Sequence, residues 1–520
     1  MNVNRLDFVK AGLSALGFLA LDGLPVFAAP AGFRQKGTPK LVFGILSDTH
    51  LQSGWDGVTP HAGFPLTYVG NAMKLFRDRD IDAFMHLGDA AHRGKNVEVQ
   101  YHRDIFEKYF PNGKSPHGGR IVQKLVVVGN HELYGNVAAG GGAWAPRIWK
   151  DPVERAKHVL CGDLPRHWEQ VWGEKYEEVW HKEVNGYHFF GRHWETDEMK
   201  LANFINSKAE ECSLRGPKPF FILSHRRHHF QFCNALRAFP NAIAFFGHWH
   251  QSNADYKTIY FDSFGGFFPN IQVGACRMDG GNALDGNERV TKGSGIMESV
   301  VDNGKAWQQC KNPSRQAMIV NVYDDRVVFE RHEVGHGGKL GPDWVLPLNW
   351  RAGNGARGAA RHPFSRGELA KVLGAPEFPR GSKLGVVSAL SHVVERANGS
   401  LVVYREKNVK VAPSIPVMRV TIPCSDGNAD SRPYAYDVVV IGDDKSKKLF
   451  KNVYWAGCNL GIGHAPDKGL TLVDIPKKEL PEGKTLTIAV RPVSSLGSKG
   501  KPLVVTYSPS SGMLRNKSVG

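Results

Sequence analysis

Short apolar runs that end in polar residues recur through the first half of the chain. The first lies in LVFGILSDTH (41–50), where five of the first six residues are apolar and Ser-Asp-Thr-His follows. Comparable runs occupy residues 81–87, 121–128, 187–193, 219–225 and 242–250. A short apolar run of this kind predicts a buried strand whose carboxyl end opens into a site.

Segments with helical spacing separate several of these runs. Residues 68–79, 97–109 and 195–207 place apolar side chains three or four positions apart, which is typical of amphipathic helices. The alternation of strands and helices predicts an α/β fold. The rest of 135–200 is irregular in pattern, and its stretch GNVAAGGGAW (135–144) predicts a loop.

The pattern changes beyond Gly335. Residues 351–375 begin with RAGNGARGAARHPFSRG and are predicted to be a linker. Residues 376–510 contain short runs in which apolar and polar residues alternate, separated by turn-rich stretches. This pattern favours a smaller all-β sandwich domain. The stretch LTIAVRPVSSLGSKGKPL (486–503) resembles the last strands of a fibronectin type III domain.

The charge distribution separates the same two parts of the chain. Residues 1–350 contain 40 Lys and Arg against 37 Asp and Glu, whereas residues 351–520 contain 26 against 13. A basic C-terminal part is suited to a polyanionic or cell-surface polymer, although a basic face can also simply be a soluble one. An apolar content of 42% is enough for a packed core.

The first 29 residues have the pattern of a signal peptide. Arg5 and Lys10 precede the apolar run 11–20, and small residues follow at 26–30. The pattern fits a Sec signal or a twin-arginine signal with one arginine missing, and it predicts export to the periplasm or the cell exterior. The seven cysteines include no CxxC pair, which excludes a zinc-ribbon pattern. No stable membrane insertion is predicted.

Polar residues at five strand ends form an ordered series. They are Asp48, His50, Asp89, Asn130, His131, His225, His248 and His250. Because Asp48 and His50 are two positions apart, an extended chain would put both side chains on one face. The blocks read DxH, GD, GNHE, H and GHxH. This series resembles the calcineurin-like metallophosphoesterase family over residues 40–300, and residues 40–350 are predicted to form its four-layer αββα sandwich.

The resemblance implies a site for two divalent metal ions. Asp48, His50, Asp89 and His250 would bind the first ion, and Asp89 would bridge to the second. Asn130, His225 and His248 would complete the second position. The mixed nitrogen and oxygen ligands accept Mn, Fe, Zn, Co or Ni. The implied reaction is attack on a phosphate ester by a hydroxide that bridges the metals, with no protein nucleophile.

The resemblance also implies roles for residues beside the ligands. His131 would donate a proton to the leaving oxygen, and Asn130, His131 and Arg93 would contact substrate. For Arg93, a structural salt bridge is an equal alternative. Glu132 is interpreted either as a support of the His131 turn or as a surface carboxylate. His92 stands where the family often has aspartate and purple acid phosphatases have a tyrosine ligand.

The leading hypothesis is an exported metal-dependent phosphodiesterase or phosphatase, with a slight preference for diesters. Substrate choice is expected to lie in the segments 53–67, 134–160 and 265–300, which carry no recognisable motif. The alternative is a protein that binds a cell-surface polymer and whose phosphoesterase domain is secondary or inactive. All seven expected metal-ligand positions are intact, which argues against an inactive domain.

Overall fold

The computed structural model describes most of the chain from residue 37 onward. The described residues are 37–53, 66–134, 145, 149–251, 253, 256–261, 267–276, 298–302, 305–309, 315–335, 338–340, 343–348, 362–395, 401–403, 414–423, 433, 435–443, 447–454, 470–481, 485–494 and 496–516. The predicted signal peptide and the predicted loop 135–144 lie outside them. Within the described part, no helix is long and apolar enough to cross a membrane.

The first sheet has six strands. In spatial order they are β14 (Trp344–Pro347), β13 (Arg326–Glu333), β12 (Gln316–Val322), β1 (Leu41–Leu46), β2 (Ala83–His86) and β3 (Gln123–Val126). β1, β2 and β3 are parallel neighbours, whereas β12 runs antiparallel to β1. The carboxyl ends of β1, β2 and β3 therefore meet at one edge of this sheet.

The second sheet also has six strands. In spatial order they are β4 (Val179–Val184), β5 (Tyr187–Arg192), β6 (Phe220–Leu223), β7 (Ala242–Phe246), β9 (Asn270–Gln272) and β8 (Ile259–Tyr260). β5, β6, β7 and β9 are parallel, and β4 is an antiparallel edge strand. The carboxyl ends of β6 and β7 thus open at a common edge.

Seven described α-helices accompany the sheets. They are α1 (Leu66–Asp78), α2 (Asn96–Tyr109), α3 (Pro152–His158), α4 (Leu164–Trp172), α5 (Glu198–Ser207), α6 (Phe230–Ala235) and α7 (Arg366–Leu373). Side chains of α1, α2 and α4 share a buried cluster with one face of the first sheet, and α5 and α6 do so with the second sheet. The opposing faces of the two sheets share a third cluster, in which Phe43 packs edge-on against Phe189 and Phe221. The predicted αββα layering is confirmed.

Gly44 allows α1 to lie directly on β1. A Cβ atom at this position would lie 2.5 Å from Phe76 Cδ1, far inside van der Waals contact. We expect Gly44→Ala to lower the free energy of unfolding by about 1–3 kcal/mol, because the buried Phe76 ring must move within a packed core. Denaturant unfolding measures the change.

Gly70→Ala in α1 is the matched control for this substitution. Its Cβ atom would meet the Tyr109 hydroxyl at an ordinary 3.6 Å. Alanine is also favoured over glycine in a helix by about 0.5–1 kcal/mol, so this variant is expected to be neutral or more stable. Equal losses in the two variants would show that close packing at Gly44 is not the cause.

Residues 150–184 are more regular than their sequence indicates. The expectation of an irregular segment is wrong here, because α3, α4 and β4 lie within it. Asp151 accepts a hydrogen bond from Val153 N, and Asp163 accepts one from Arg166 N, so each helix has a capped amino end. α4 buries Trp168 and Trp172 against α2 and the first sheet. Both helices are short, so packing and caps decide their formation.

An eleven-stranded sheet contains the strands of the C-terminal part. In spatial order they are β16 (Leu401–Val403), β15 (Gly385–Glu395), β17 (Ser414–Pro423), β20 (Leu470–Pro476), β10 (Glu298–Asp302), β11 (Lys305–Gln309), β19 (Lys447–Tyr454), β18 (Ala435–Ile441), β21 (Leu486–Val493), β22 (Leu503–Ser508) and β23 (Met513–Asn516). The strand pairs within each half of this sheet are antiparallel, whereas β10 pairs with β20 and β11 pairs with β19 in parallel. The β10–β11 hairpin comes from the range 40–350 but pairs with these two strands.

One buried cluster contains side chains from both halves of this sheet. Val420 and Ile475 come from one half, and Val438 and Ile488 come from the other. The halves therefore pack against each other, which agrees with the predicted β-sandwich. The domain ranges and the likeness to fibronectin type III stay predictions. Within the predicted linker, Leu369 of α7 joins the core between the two six-stranded sheets.

Candidate metal centre

The strand ends of both six-stranded sheets bring the expected ligands together. These ligands form two groups, and within each group the donor atoms all lie within 4.8 Å of one another. The first group is Asp48, His50, Asp89 and His250; the second is Asp89, His225 and His248. Asp89 belongs to both groups, which is the arrangement that a bridging carboxylate requires.

The first group surrounds a single point with nitrogen and oxygen atoms. His250 Nε2 lies 3.0 Å from Asp48 Oδ1 and 3.2 Å from His50 Nε2. His50 Nε2 is 3.7 Å from Asp89 Oδ2. Ligand atoms that share one tetrahedral ion at about 2.0–2.1 Å lie about 3.4 Å apart. The spacing of this group therefore fits one bound ion.

The second group includes the side-chain oxygen of Asn130. Asn130 Oδ1 lies 3.1 Å from His225 Nε2 and 3.0 Å from His248 Nδ1. His225 Nε2 is in turn 3.2 Å from Asp89 Oδ2. The oxygen that faces His50 in the first group thus also faces His225 in the second. All seven expected ligands are brought together by the fold.

The backbone at the ligands is unusual. Asp48, His50, Asp89, His248 and His250 have φ angles of 52°, 45°, 56°, 73° and 52°, in the left-handed region that residues with a Cβ rarely adopt. Each such residue costs on the order of 1 kcal/mol or more. The surrounding hydrogen bonds maintain these conformations.

The extended-chain argument for Asp48 and His50 is wrong. β1 ends at Leu46, and both residues lie in the loop that follows. Asp48 N donates to Gly88 O at 3.1 Å and His50 N donates to Asp89 O at 2.8 Å, so the two loops pair with each other. The side chains meet because the loop turns, and not because of a two-residue strand period.

Hydrogen bonds orient the His225 and His86 rings. His225 Nδ1 donates to the Leu87 carbonyl at 2.6 Å, which leaves Nε2 for a metal ion. His86 accepts from Gly88 N at Nδ1, and its Nε2 lies 3.2 Å from the Thr49 hydroxyl. His86, the last residue of β2, therefore links the loop that follows β1 to the loop that follows β2.

The buried charges of the centre perturb one another. Burial raises the pKa of Asp89, but His225 and His131 outweigh it and bring that pKa below its ordinary value. Burial lowers the pKa of His225, but Asp89 and Asp48 outweigh it and raise the pKa to about 9. Burial and the charge of His225 lower the pKa of His248 to about 4. The carboxylates attract a positive charge here, and a metal ion can replace the proton on His225. The donor set therefore fits a pair of divalent metals.

The Glu132 carboxylate holds the backbone beside the metal ligands. Its side chain is buried, and its Oε2 accepts from Asp89 N at 2.9 Å and Gly129 N at 2.6 Å. Its Oε1 accepts from Ala91 N at 2.7 Å. Burial and the charge of Asp89 raise its pKa to about 7. The structure favours the interpretation of Glu132 as a support and rules out a surface carboxylate.

Glu132→Gln is expected to weaken metal binding about 10–100-fold, as changes in groups that orient metal ligands do. The glutamine amide would turn an NH₂ group toward backbone N–H donors and loosen the loop that holds Asp89. Titration of metal-free protein with Mn²⁺ measures the affinity. The control is Glu330→Gln, a buried carboxylate paired with Arg79 in the first sheet. An equal loss in both variants would contradict a specific role of Glu132.

His131 lies at the open side of the centre. Its Nδ1 donates to the His92 carbonyl at 2.8 Å, and its Nε2 lies 3.8 Å from Asp89 Oδ2. The Tyr134 ring is tilted against it at a centroid distance of 3.7 Å. Burial lowers the pKa of His131, and Asp89 opposes this effect. The His92 ring is 5.5 Å from that of His131 and 5.7 Å from that of His50, so it also faces this side.

Arg93 lies beside Gln52 and Glu98. With the Gln52 amide oriented to place its oxygen toward Arg93, the two Nη atoms donate to it at 2.9 and 3.2 Å. The backbone N of Arg93 donates to Glu98 Oε2. A contact with substrate phosphate stays a prediction.

Trp194 is a residue at the site that the motifs do not include. Its ring lies 4.9 Å from that of His248 and 5.4 Å from that of His225. It follows β5, just as His225 follows β6. Its position after a strand end is the one signal in the sequence that indicates this location.

Comparisons with known proteins identify the first part of the chain. The family model for calcineurin-like phosphoesterase matches residues 41–252. No curated protein matches the chain. Among solved structures, a dimetal phosphatase from Danio rerio is similar, with 12% identity and a TM-score of 0.33, over 60% of this chain and 100% of its own.

Two further solved structures are similar to this chain. The purple acid phosphatase PPD1 from yellow lupin has 15% identity and a TM-score of 0.35, over 66% of this chain and 57% of its own. Vps29 with Zn²⁺ from Entamoeba histolytica has 10% identity and a TM-score of 0.24, over 59% and 100%. These scores are low, and the assignment depends on the family model and the ligand geometry. Residues 41–252 form a calcineurin-like phosphoesterase domain, that of a metal-dependent phosphoester hydrolase with ligands for two divalent metals.

Proposed function

We propose that this protein hydrolyses phosphate mono- or diesters at the metal centre, with His131 as the proton donor to the leaving oxygen. The observation that carries the proposal is the position of Asp89, whose Oδ2 faces His50 at 3.7 Å and His225 at 3.2 Å. When bound, two divalent metals supply Lewis acidity toward a phosphate oxygen and make water a nucleophile near neutral pH.

The residues around the ligands divide the remaining tasks. Asn130 and His131 follow β3 at the open side, where they can contact an ester. Because His131 Nδ1 donates to the His92 carbonyl, its Nε2 is the atom that can hold and release the catalytic proton. Arg93 is assigned to phosphate orientation in this proposal, from its place four residues after Asp89. The Trp194 ring packs against the rings of His225 and His248.

Two aromatic esters test the proposal. The full chain is freed of metal by chelation and assayed with p-nitrophenyl phosphate and bis-p-nitrophenyl phosphate, before and after addition of Mn²⁺. Hydrolysis of at least one ester that depends on the added metal is expected. The ratio of the two rates then distinguishes a phosphatase from a phosphodiesterase, and the proposal is a phosphodiesterase. A folded, metal-loaded protein that cleaves neither ester would refute the proposal.

We propose a polyanionic or cell-surface polymer as a second partner, on the basis of the excess of 26 Lys and Arg over 13 Asp and Glu in residues 351–520. Lys477 and Lys478 are exposed in a short turn that follows β20. The full chain should then bind polyphosphate in a salt-dependent way, and the double change of these lysines to glutamate should weaken it. Binding that is unaffected by salt would contradict this part.

We also propose that the protein is exported, and the support is the pattern of residues 1–29. Attachment of this segment to a reporter, followed by cell fractionation, tests it. Retention of the reporter in the cytoplasm would contradict export. Blocking the Sec or the twin-arginine route separately would then tell the two signals apart.

A further inference from the structure

A second cluster of potential metal ligands lies away from the phosphoesterase centre. It consists of His181 on β4, His188 on β5 and Cys212 in the turn after α5. Each residue offers one donor atom, and the three atoms lie within 4.8 Å of one another. The cluster belongs to no motif of the phosphoesterase domain.

The strand register explains why the two histidines meet. His181 pairs with Phe190 and Glu183 pairs with His188, so these four side chains share one face of the hairpin. Phe190 belongs to the buried cluster with α5, whereas Phe189 belongs to the core between the sheets. The histidines therefore face the outer side of the second sheet, toward α5.

The cluster is also at a different edge from the phosphoesterase centre. His188 is the second residue of β5, at the amino end of the strand. The phosphoesterase ligands lie beyond the carboxyl ends of β6 and β7, which run parallel to β5. An ion bound at one position would thus not share ligands with an ion at the other.

The distances within the cluster match those of a tetrahedral site. His181 Nε2 lies 3.1 Å from His188 Nδ1 and 3.8 Å from Cys212 Sγ. With Zn–N at about 2.0–2.1 Å and Zn–S at about 2.3 Å, the expected separations are about 3.4 Å for two nitrogens and about 3.6 Å for nitrogen and sulfur. The same close approach occurs in the phosphoesterase centre, where His50 and His250 Nε2 atoms are 3.2 Å apart.

The surroundings suit a cation of this kind. Cys212 is a free cysteine and is 7% exposed, while both histidines are half-buried and leave a path for an ion. Glu183 is the cross-strand partner of His188, so the two residues share one face of the hairpin. Glu211 beside Cys212 is bound to Lys208 at 2.7 Å. Thiolate and imidazole ligands together favour zinc among the common divalent ions.

We propose that His181, His188 and Cys212 bind a zinc ion, with the fourth position facing Glu183 and solvent. This ion would fasten the β4–β5 hairpin, at the edge of the second sheet, to the turn that follows α5. The site is independent of the proposed hydrolase function, since it shares no residue with the phosphoesterase centre.

Cobalt substitution tests the site in the full chain. The phosphoesterase centre has no sulfur ligand, so a thiolate-to-cobalt charge-transfer band in the near ultraviolet reports on a cysteine site alone. We expect this band in wild-type protein loaded with Co²⁺, and its loss in Cys212→Ser and His188→Ala. The band should persist in Cys161→Ser, another free cysteine, and in Asp89→Asn.

Elemental analysis gives a second measurement. After zinc loading, Cys212→Ser should hold one ion less per chain than wild type, while circular dichroism shows that it is folded. The proposal is overturned if folded wild-type protein with excess Co²⁺ shows no band. It is also overturned if the band remains in Cys212→Ser, because the thiolate would then come from another cysteine.

Discussion

Asp89→Asn is expected to lower kcat/KM for phosphate-ester hydrolysis by at least about 10³-fold, since losing several kcal/mol of metal-derived transition-state stabilisation corresponds to about that factor. Asparagine keeps the shape of the side chain but removes the charge that faces His50, His225 and His131. Both ligand groups lose their shared member. Metal content should fall together with activity.

The matched control for this prediction lies at the other end of the same strand. Asp82 precedes β2, where it accepts from Val42 N at 2.8 Å and pairs with Arg120. Asp82→Asn should change stability and leave kcat/KM near that of wild type. Steady-state rates with p-nitrophenyl phosphate and Mn²⁺ compare the two variants. If Asp89→Asn retained wild-type activity with full metal occupancy, the bridging role would be disproved.

His131→Ala is expected to lower the rate about 10²–10⁴-fold on an alkyl phosphate ester, the range typical of a lost general acid. On a p-nitrophenyl ester the loss should be much smaller, because p-nitrophenolate can leave without a proton. His131 Nδ1 donates a hydrogen bond to the His92 carbonyl, so Nε2 is the ring nitrogen that can donate a proton to the leaving oxygen.

A series of esters with leaving groups of increasing basicity measures this effect. The slope of log kcat against leaving-group pKa should be steeper for His131→Ala than for wild type. His117→Ala, which removes an exposed imidazole on the loop before β3, should give the wild-type slope. A loss in His131→Ala that is the same for every ester would mean that His131 positions substrate or metal and donates no proton.

Much of the fold could be predicted from local pattern. The apolar runs that became β1, β6 and β7 are buried on both faces, so they are continuous and easy to recognise. α1 and α2 follow their apolar spacing to within two residues. By contrast α3 and α4 were missed, because helices of 7 and 9 residues owe their stability to caps and tertiary packing.

Some features of the candidate site could likewise be predicted from local pattern, and others could not. The pattern of neighbouring positions places polar residues at successive strand ends, and the resemblance to the metallophosphoesterase family implies their roles as metal ligands. The supporting role of Glu132, by contrast, depends on contacts between residues that are far apart in the sequence. Its hydrogen bonds to Asp89 N and Ala91 N span more than 40 positions, and nothing local to GNHE distinguishes a buried carboxylate from an exposed one.

The sequence by itself determined the layered α/β fold, the strand ends that carry chemistry and the ligand types, because each depends on residues a few positions apart. Only the tertiary structure decided how the ligands divide into two groups around Asp89. His50 and His250 meet across 200 positions, and Asp48 reaches them from a left-handed backbone. Such conformations are unfavourable in an isolated chain, and hydrogen bonds between the loops that follow the strands maintain them.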